Sequence, residues 1–506
     1  MTYEIKGDYY HNNFSLPPTK GLDSSYILLK KINPSNTTEI LWQCPADSRH
    51  IIPVIESAEE GFICWKKTPL RDRLVKIKTY LLKIEERKNE IASTISLETG
   101  RPVWETLQEV KQSILGCTSL INNCEQQILP SGLLNHHSTD SANARVIYRP
   151  IGPTLIITSF CSPFLIPNNY LTNSLMAGNS IILKPSPETC YTSQLIMECF
   201  QAAEFPNGVI NSIQGDSEIS RRLLKEKSIK CVFFIGTNEA GNKVIDATQN
   251  DLHKIISLNL GSKNTTIIHD DTDINFAIKD MLISSFLSSG QNCRSTSLIA
   301  IHKNIQEEFI AKFHQLAKKI IIDDPINFEK EPFMGPLVNQ QSVDNYILFI
   351  GMAKREGFEE VMRGKQIDKK NPGYYVTPSI QLTNRFDKKS RFLTSEILAP
   401  TATFIPYRDI EEAIEIANST EYGLVSSIYT NLPQIKEKCL DELQSGTINI
   451  NTPTTNIEQD LPSLGIKNSG NHRAAFTAAI NSCVYPLSIV ESDAKKLNHH
   501  LIGFHE

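Results

Sequence analysis

No Cys-x-x-Cys pair occurs among the eleven cysteines of this 506-residue chain. That excludes the common zinc-ribbon spacing and a small disulfide framework, so most of these thiols are expected to be reduced, buried and inert. No apolar run spans a bilayer, which takes about 20 largely apolar residues; the longest, 147–176, is broken by Pro150, Pro153, Pro163 and Pro167. Charge of one sign is also lacking. Fifty-one basic against 56 acidic residues give a formal net charge of −5, so neither a nucleic-acid nor a membrane partner is expected. The first residues, Met-Thr-Tyr-Glu-Ile-Lys-Gly, carry no apolar stretch of the secretory kind, and a cytoplasmic protein is the expectation. The pairs His136-His137 and His499-His500 have no cysteine or carboxylate set beside them, so no metal site is expected. No repeat or low-complexity tract appears.

What is present changes period along the chain. Before residue 57 there is no sustained helical pattern; Tyr26–Leu29 and Glu39–Gln43 read as short strands around an Asn33-Pro34-Ser35-Asn36 turn. Over 57–124 the spacing of Leu74, Ile77, Leu81 and Ile84 predicts helix. Residues 126–145 are polar and read as a connection or arm. From Arg149 short apolar runs (Thr154–Thr158, Ser180–Leu183, Val209–Ile213, Cys231–Ile235) alternate with helical stretches, and a second alternating series runs from Thr265 to about Ile450. Strand and helix in alternation imply parallel sheets with helices on both faces, that is, two α/β units with a helical N-terminal part packed on the first.

Three stretches carry chemistry. Gly290-Gln291-Asn292-Cys293 puts one cysteine between a helical pattern and an apolar strand, where rigid elements on both sides suit a covalent nucleophile. Lys184 ends a strand and points to the crevice where open sheets bind nucleotides. Phe234-Ile235-Gly236-Thr237-Asn238 reads as a strand, a glycine turn and a helix start, a geometry that brings backbone N–H groups to a phosphate.

Together with Leu258–Lys263, Ser395-Glu396-Ile397-Leu398-Ala399-Pro400 and Asn468-Ser469-Gly470, in that order over nearly the whole chain, these motifs resemble the aldehyde dehydrogenase superfamily. The stretches Glu98–Glu105, Pro167-Asn168, Ser469–Arg473 and Glu491-Ser492-Asp493 look most like its N-succinylglutamate 5-semialdehyde dehydrogenase branch, which acts in arginine breakdown. The resemblance implies an α/β fold with a Rossmann-type cofactor domain, an α/β catalytic domain and a small β oligomerisation arm. On that pattern 1–125 is the N-terminal helical part of the cofactor domain, 126–148 the first part of the arm and 149–255 the Rossmann-like domain. Residues 256–450 form the catalytic domain, 451–475 return to the cofactor domain, and 476–506 complete the arm and tail. It also implies NAD or NADP as cofactor, with NAD favoured, a small aldehyde as substrate, and a homodimer or homotetramer.

By the same resemblance Cys293 is the nucleophile, and Lys184, Gly236 and Glu396 contact the cofactor. Thiolate attack on the aldehyde and loss of hydride leave a thioester, which water releases as the acid. This chain departs from the pattern where help to that cysteine is expected. Asn259 stands at the general-base position, and an amide cannot take a proton near neutral pH. Cys161 stands at the oxyanion-donor position, leaving the backbone N–H of Cys293 as donor. The ribose-binding glutamate falls at Pro187, with Glu188 one place late; Leu398 replaces an aromatic residue; and a Pro-Phe-Gly-Gly becomes Pro462-Ser463-Leu464-Gly465. His472 and Arg473 match the branch motif and suit a substrate carboxylate. Cys161 as a resolving thiol for Cys293 requires α-carbons within about 7 Å. Two readings stand: an aldehyde dehydrogenase of impaired turnover, and a non-catalytic descendant kept for binding or assembly.

Overall fold

The computed structural model describes residues 3–17, 26–128, 142–327 and 329–492. Two seven-stranded sheets organise it. In the first, Ile255–Asn259, Cys231–Ile235, Thr154–Ile157, Ile181–Lys184 and Ile210–Ser212 lie side by side in parallel; Asp8–Tyr10 and Asn13–Ser15 close one edge antiparallel. In the second, Ser379–Leu382, Thr401–Tyr407, Thr296–His302, Asn264–Ile268, Val425–Tyr429 and Thr447–Ile450 are parallel, with Glu359–Met362 antiparallel at the edge.

These strands are near-continuous apolar runs because both faces are covered. In Cys231–Ile235 every residue is buried. Alternate side chains go to opposite sides: Cys231, Phe233 and Ile235 pack toward the helices Leu70–Thr99, Leu165–Ala177 and Cys190–Ala202, while Val232 and Phe234 pack toward Ile51–Trp65, Ser217–Lys225 and Asn238–Thr248. The second sheet is covered likewise, by Gln340–Arg355 and Ile410–Asn418 on one face and Ile274–Phe286 and Gln306–Ala317 on the other.

Helix begins earlier than the periodicity suggested, at Ile51 rather than Ser57. Its first turn carries Pro53, which tolerates that position because the first N–H groups of a helix have no partner. The turn at 34–35 joins strands longer than foreseen, Tyr26–Asn33 and Asn36–Asp47. Of the stretch 126–145, residues 129–141 lie outside the described residues. Ala142–Pro150 is a strand, paired antiparallel along its length with Val484–Ser492 in a two-stranded ribbon. Among the described residues no helix is long and apolar enough to cross a membrane.

Candidate active site

The C-terminal edge of the first sheet meets the N-terminal edge of the second. The strand ending at Asn259 and the strand starting at Asn264 are separated only by Leu260-Gly261-Ser262-Lys263. This joint holds the nucleophile's peptide. Ser262 Oγ and Asn264 Nδ2 both donate to the carbonyl oxygen of Cys293, the latter at 2.9 Å. The amide of Ser262 donates to Glu396 Oε1 at 2.9 Å. Gly261 packs directly under this carboxylate, where a Cβ would lie 2.1 Å from Glu396 Oε2 and displace it.

On the other side of Cys293, the helix Ile274–Phe286 gives way to a turn in which Ser288, Ser289 and Gly290 have φ of 57°, 54° and 68°. Only glycine fits the third position, where a Cβ would sit 2.3 Å from the Ala399 carbonyl. The two serines bear a conformation unfavourable to L-residues. Their hydroxyls hold it, Ser288 donating to Glu105 and Ser289 to the Gly335 carbonyl at 2.8 Å.

Cys293 opens into a cavity of about 340 Å³. Six of the residues named from the sequence line it: Cys161, Lys184, Gly236, Asn259, Cys293 and Glu396. Burial, reinforced by the negative charge of Glu396 and opposed by Arg294, pushes the Cys293 thiol up to about 11. Burial raises the Cys161 thiol further, with Cys293 adding to the effect. Both thiols are free. Burial also raises the Glu396 carboxyl to about 7, against the Ser262 N–H and the Lys263 charge. It lowers Lys184 to about 8 and Lys263 to about 7. Lys263 spends its ammonium on the Phe392 carbonyl at 2.9 Å. The side chain of Asn259 faces the buried hydroxyl of Tyr170 and offsets part of the upward push of burial on that phenol, whose ring stacks on Phe233.

The same cavity reaches the point where strand order reverses. From Thr154–Ile157 the chain moves first to Ile181–Lys184 on one side and later to Cys231–Ile235 on the other. Ligands of open α/β sheets bind outside the strand ends at that point. There Gly236 leads into the helix Asn238–Thr248, capped by Thr237 Oγ1. A second cavity of about 440 Å³ adjoins, between this helix and Ser217–Lys225. The two share Ile157, Ser217, Ser220, Phe234 and Ala240. An apolar slot, a helix N-terminus and a buried lysine in one continuous groove fit an elongated dinucleotide.

Some residues fall elsewhere. Glu188 is absent from the lining; it accepts from Lys31 Nζ and from Asn339 Nδ2. His472 and Arg473 are exposed and do not line the cavity. Their neighbour Asn471 serves the sheet edge, accepting from the Leu258 amide and donating to the Ile256 carbonyl.

Several residues at the site escaped sequence reasoning. Arg101 is buried, bonded to Glu105 and Glu109, and donates to the Cys161 carbonyl at 3.2 Å. Glu109 accepts from the amides of Phe164 and Leu165, so this ion cluster ties the Cys161 loop to the turn before Cys293. Arg294 is buried beside the nucleophile and, among the described residues, donates only to neutral acceptors: the Thr454 and Asn456 carbonyls and Ser463 Oγ. An Arg directly after the cysteine was the available signal for it. Nothing in the sequence placed Tyr170 against Asn259. Among the described residues no cluster suits a metal ion.

Two doubly wound sheets meeting at a cysteine and a dinucleotide-shaped groove define an α/β oxidoreductase scaffold. The chain belongs to the aldehyde dehydrogenase family, whose profile matches residues 23–488, and so to a class of NAD(P)-dependent enzymes. It is 29% identical to N-succinylglutamate 5-semialdehyde dehydrogenase of Acinetobacter baylyi over 92% of this chain and 93% of that one. It is 28% identical to the enzyme of that name from Legionella pneumophila over 92% of both. Among solved structures, a 1-pyrroline-5-carboxylate dehydrogenase from Thermus with bound NAD superposes with a TM-score of 0.89 at 22% identity, covering 96% of this chain and 93% of that one. A putative aldehyde dehydrogenase from Burkholderia cenocepacia gives 0.89 at 24% identity, covering 98% and 99%.

Proposed function

We propose that this chain oxidises an anionic aldehyde to its acid through a thioester on Cys293, with release of the acyl group as the slow step. The observation that carries the reading is the convergence of Cys293, Glu396, Asn259, Lys184 and Gly236 on one cavity at the strand-order reversal. Cys293 first loses its thiol proton to solvent in the cavity; the thiolate then adds to the carbonyl carbon, and the carbonyl electron pair moves to oxygen. The backbone N–H of Cys293 is the donor for that oxyanion, with the Cys161 thiol a weak second. Losing one strong donor costs about 3–4 kcal/mol of transition-state stabilisation in comparable sites. Lys184, Gly236 and Glu396 would hold a nicotinamide dinucleotide here, which would supply the hydride acceptor needed for C=O to re-form. Water then adds to the thioester and expels the sulfur, a step for which Asn259 offers no base. General-base help is worth about 10²–10⁴-fold.

The aldehyde we favour is N-succinylglutamate 5-semialdehyde or a relative of it, which would place the chain in arginine breakdown. The two relatives of that name support this. The ribbon of Ala142–Pro150 and Val484–Ser492, with half-exposed Tyr148 and Tyr485, is the surface we assign to homo-oligomerisation. A cytoplasmic location accords with this reading.

A second reading, a non-catalytic descendant, is favoured by Asn259 and Cys161 standing at the two helper positions. Rapid mixing with succinylglutamate semialdehyde and NAD or NADP separates the two. A stoichiometric burst of reduced nicotinamide followed by slow turnover, absent in Cys293→Ala, is expected. Identical traces for both proteins would overturn the enzymatic reading.

A further inference from the structure

We propose that the groove prefers a dinucleotide carrying a phosphate on its adenosine 2′-oxygen, NADP(H), over one with a free 2′-hydroxyl; this rests on reading the groove as the cofactor site. It runs against the NAD preference drawn from the resemblance. In a doubly wound sheet the adenosine ribose lies over the end of the second strand. An acid there receives the 2′-hydroxyl, whereas a cation accommodates a 2′-phosphate.

Here the second strand is Ile181–Lys184, followed by Pro185, Ser186, Pro187 and Glu188. The single acid of that turn is committed elsewhere. Glu188 neutralises Lys31, which is 2% exposed and also donates to the Val338 carbonyl at 2.9 Å. Its other oxygen accepts from Asn339 at 2.8 Å. Withdrawing Glu188 toward a ribose would leave a buried ammonium unpaired, which proteins avoid.

What faces the cavity at this end is Lys184, Ser186, Pro187, Ser217 and Ser220. Lys184 is 3% exposed and, among the described residues, pairs with no carboxylate and gives one hydrogen bond, to the Pro185 carbonyl at 2.8 Å. Two of its three donors are uncommitted. The nearby acid Asp216 is turned to its own helix, accepting from the amides of Glu218 and Ile219. The one acid lining the cavity, Glu396, sits at the far end on Ser262, beside Cys293. A buried cation among three hydroxyls, paired with no carboxylate among the described residues, matches a phosphate dianion.

Calorimetric titration of the intact protein with adenosine 2′,5′-bisphosphate and with 5′-AMP tests this, alongside fluorescence titration with NADPH and NADH. The 2′-phosphorylated member of each pair should bind roughly tenfold tighter or more, the size of one charge-assisted hydrogen bond. Pro187→Glu should reverse the order, and Glu188→Gln should leave the ratio unchanged. Should Glu188→Gln fail to fold with Lys31 unpaired, Pro187→Glu still decides. Equal or tighter binding of the unphosphorylated ligands, or a changed ratio in Glu188→Gln, overturns the preference alone. Binding of neither dinucleotide overturns the preference and the dehydrogenase reading together.

Discussion

The hydroxyl of Ser262 donates to the carbonyl oxygen of Cys293, joining the link between the two sheets to the peptide of the nucleophile. The backbone amide of Ser262 meanwhile holds Glu396. One residue thus sets the spacing between the sulfur and the carboxylate that disfavours its ionisation.

Ser262→Ala removes one of two donors to that carbonyl and leaves Asn264 in place. The expected stability loss is about 1 kcal/mol, the net value of one hydrogen bond. Acylation should suffer more, by roughly ten- to hundredfold, because reacting atoms tolerate little misplacement. Burst rates and thermal melts on the same preparation check this, and Ser262→Thr, which keeps the hydroxyl, should recover most of the rate. An alanine variant with an unchanged burst rate would show that Asn264 alone positions the cysteine.

The charge around the thiol sets its pH response. With Cys293 pushed up to about 11, its alkylation by iodoacetamide should climb steadily from about pH 7 to about pH 10 without a plateau, since the thiolate is the reactive form. Glu396 is anionic above about 7 and raises the thiol. Glu396→Gln should therefore lower the thiol pKa and speed alkylation at a fixed pH near 8. Arg294→Met should act in the opposite direction, because that cation favours the thiolate. Peptide mass spectrometry separates Cys293 from the exposed Cys64. The assignment fails if the two variants shift the rate the same way.

Much of this was legible in the sequence, for identifiable reasons. Strands such as Cys231–Ile235 are short apolar runs bounded by turns, so their positions follow from composition and spacing. The site residues were legible where backbone geometry dictates residue type, as at Gly290 against Ala399, and where the cysteine falls between helix and strand. What stayed hidden depends on side chains meeting across long separations. Tyr170 reaches Asn259, Arg101 reaches the Cys161 carbonyl, and Glu188 turns to Lys31 rather than to the groove. No period or local motif encodes such pairings. His472 and Arg473 matched a motif, yet the segment around them serves the sheet edge, with Gly470 bridging Asn259.

The Arg101 cluster makes a stability prediction with a functional consequence. Its guanidinium, buried between Glu105 and Glu109, also holds the Cys161 carbonyl. Arg101→Met leaves two buried carboxylates without their cation. Breaking such a pair from one side costs about 3–5 kcal/mol. Denaturant unfolding should show that loss, and the Cys161 loop should become the first segment to exchange its amides. A loss under about 1 kcal/mol would mean that the glutamates are adequately served by Ser288 and the amides of Phe164 and Leu165.

The strongest consequence of the site's chemistry concerns Asn259. If thioester hydrolysis limits turnover because no base is present, Asn259→Glu supplies one at the end of the strand, facing the cavity. The burst amplitude should fall and steady-state turnover rise, by about 10²-fold or more. Tyr170 decides how well the new carboxylate works. The tyrosine is buried and its hydroxyl interacts with the side chain at 259, so it is placed to donate to a carboxylate there and weaken it as a base. The double variant Asn259→Glu with Tyr170→Phe should therefore turn over faster than Asn259→Glu alone, with its acidic pH limb moved upward. If Asn259→Glu leaves both burst and turnover unchanged, hydrolysis is not the slow step, and the limiting event lies before the thioester.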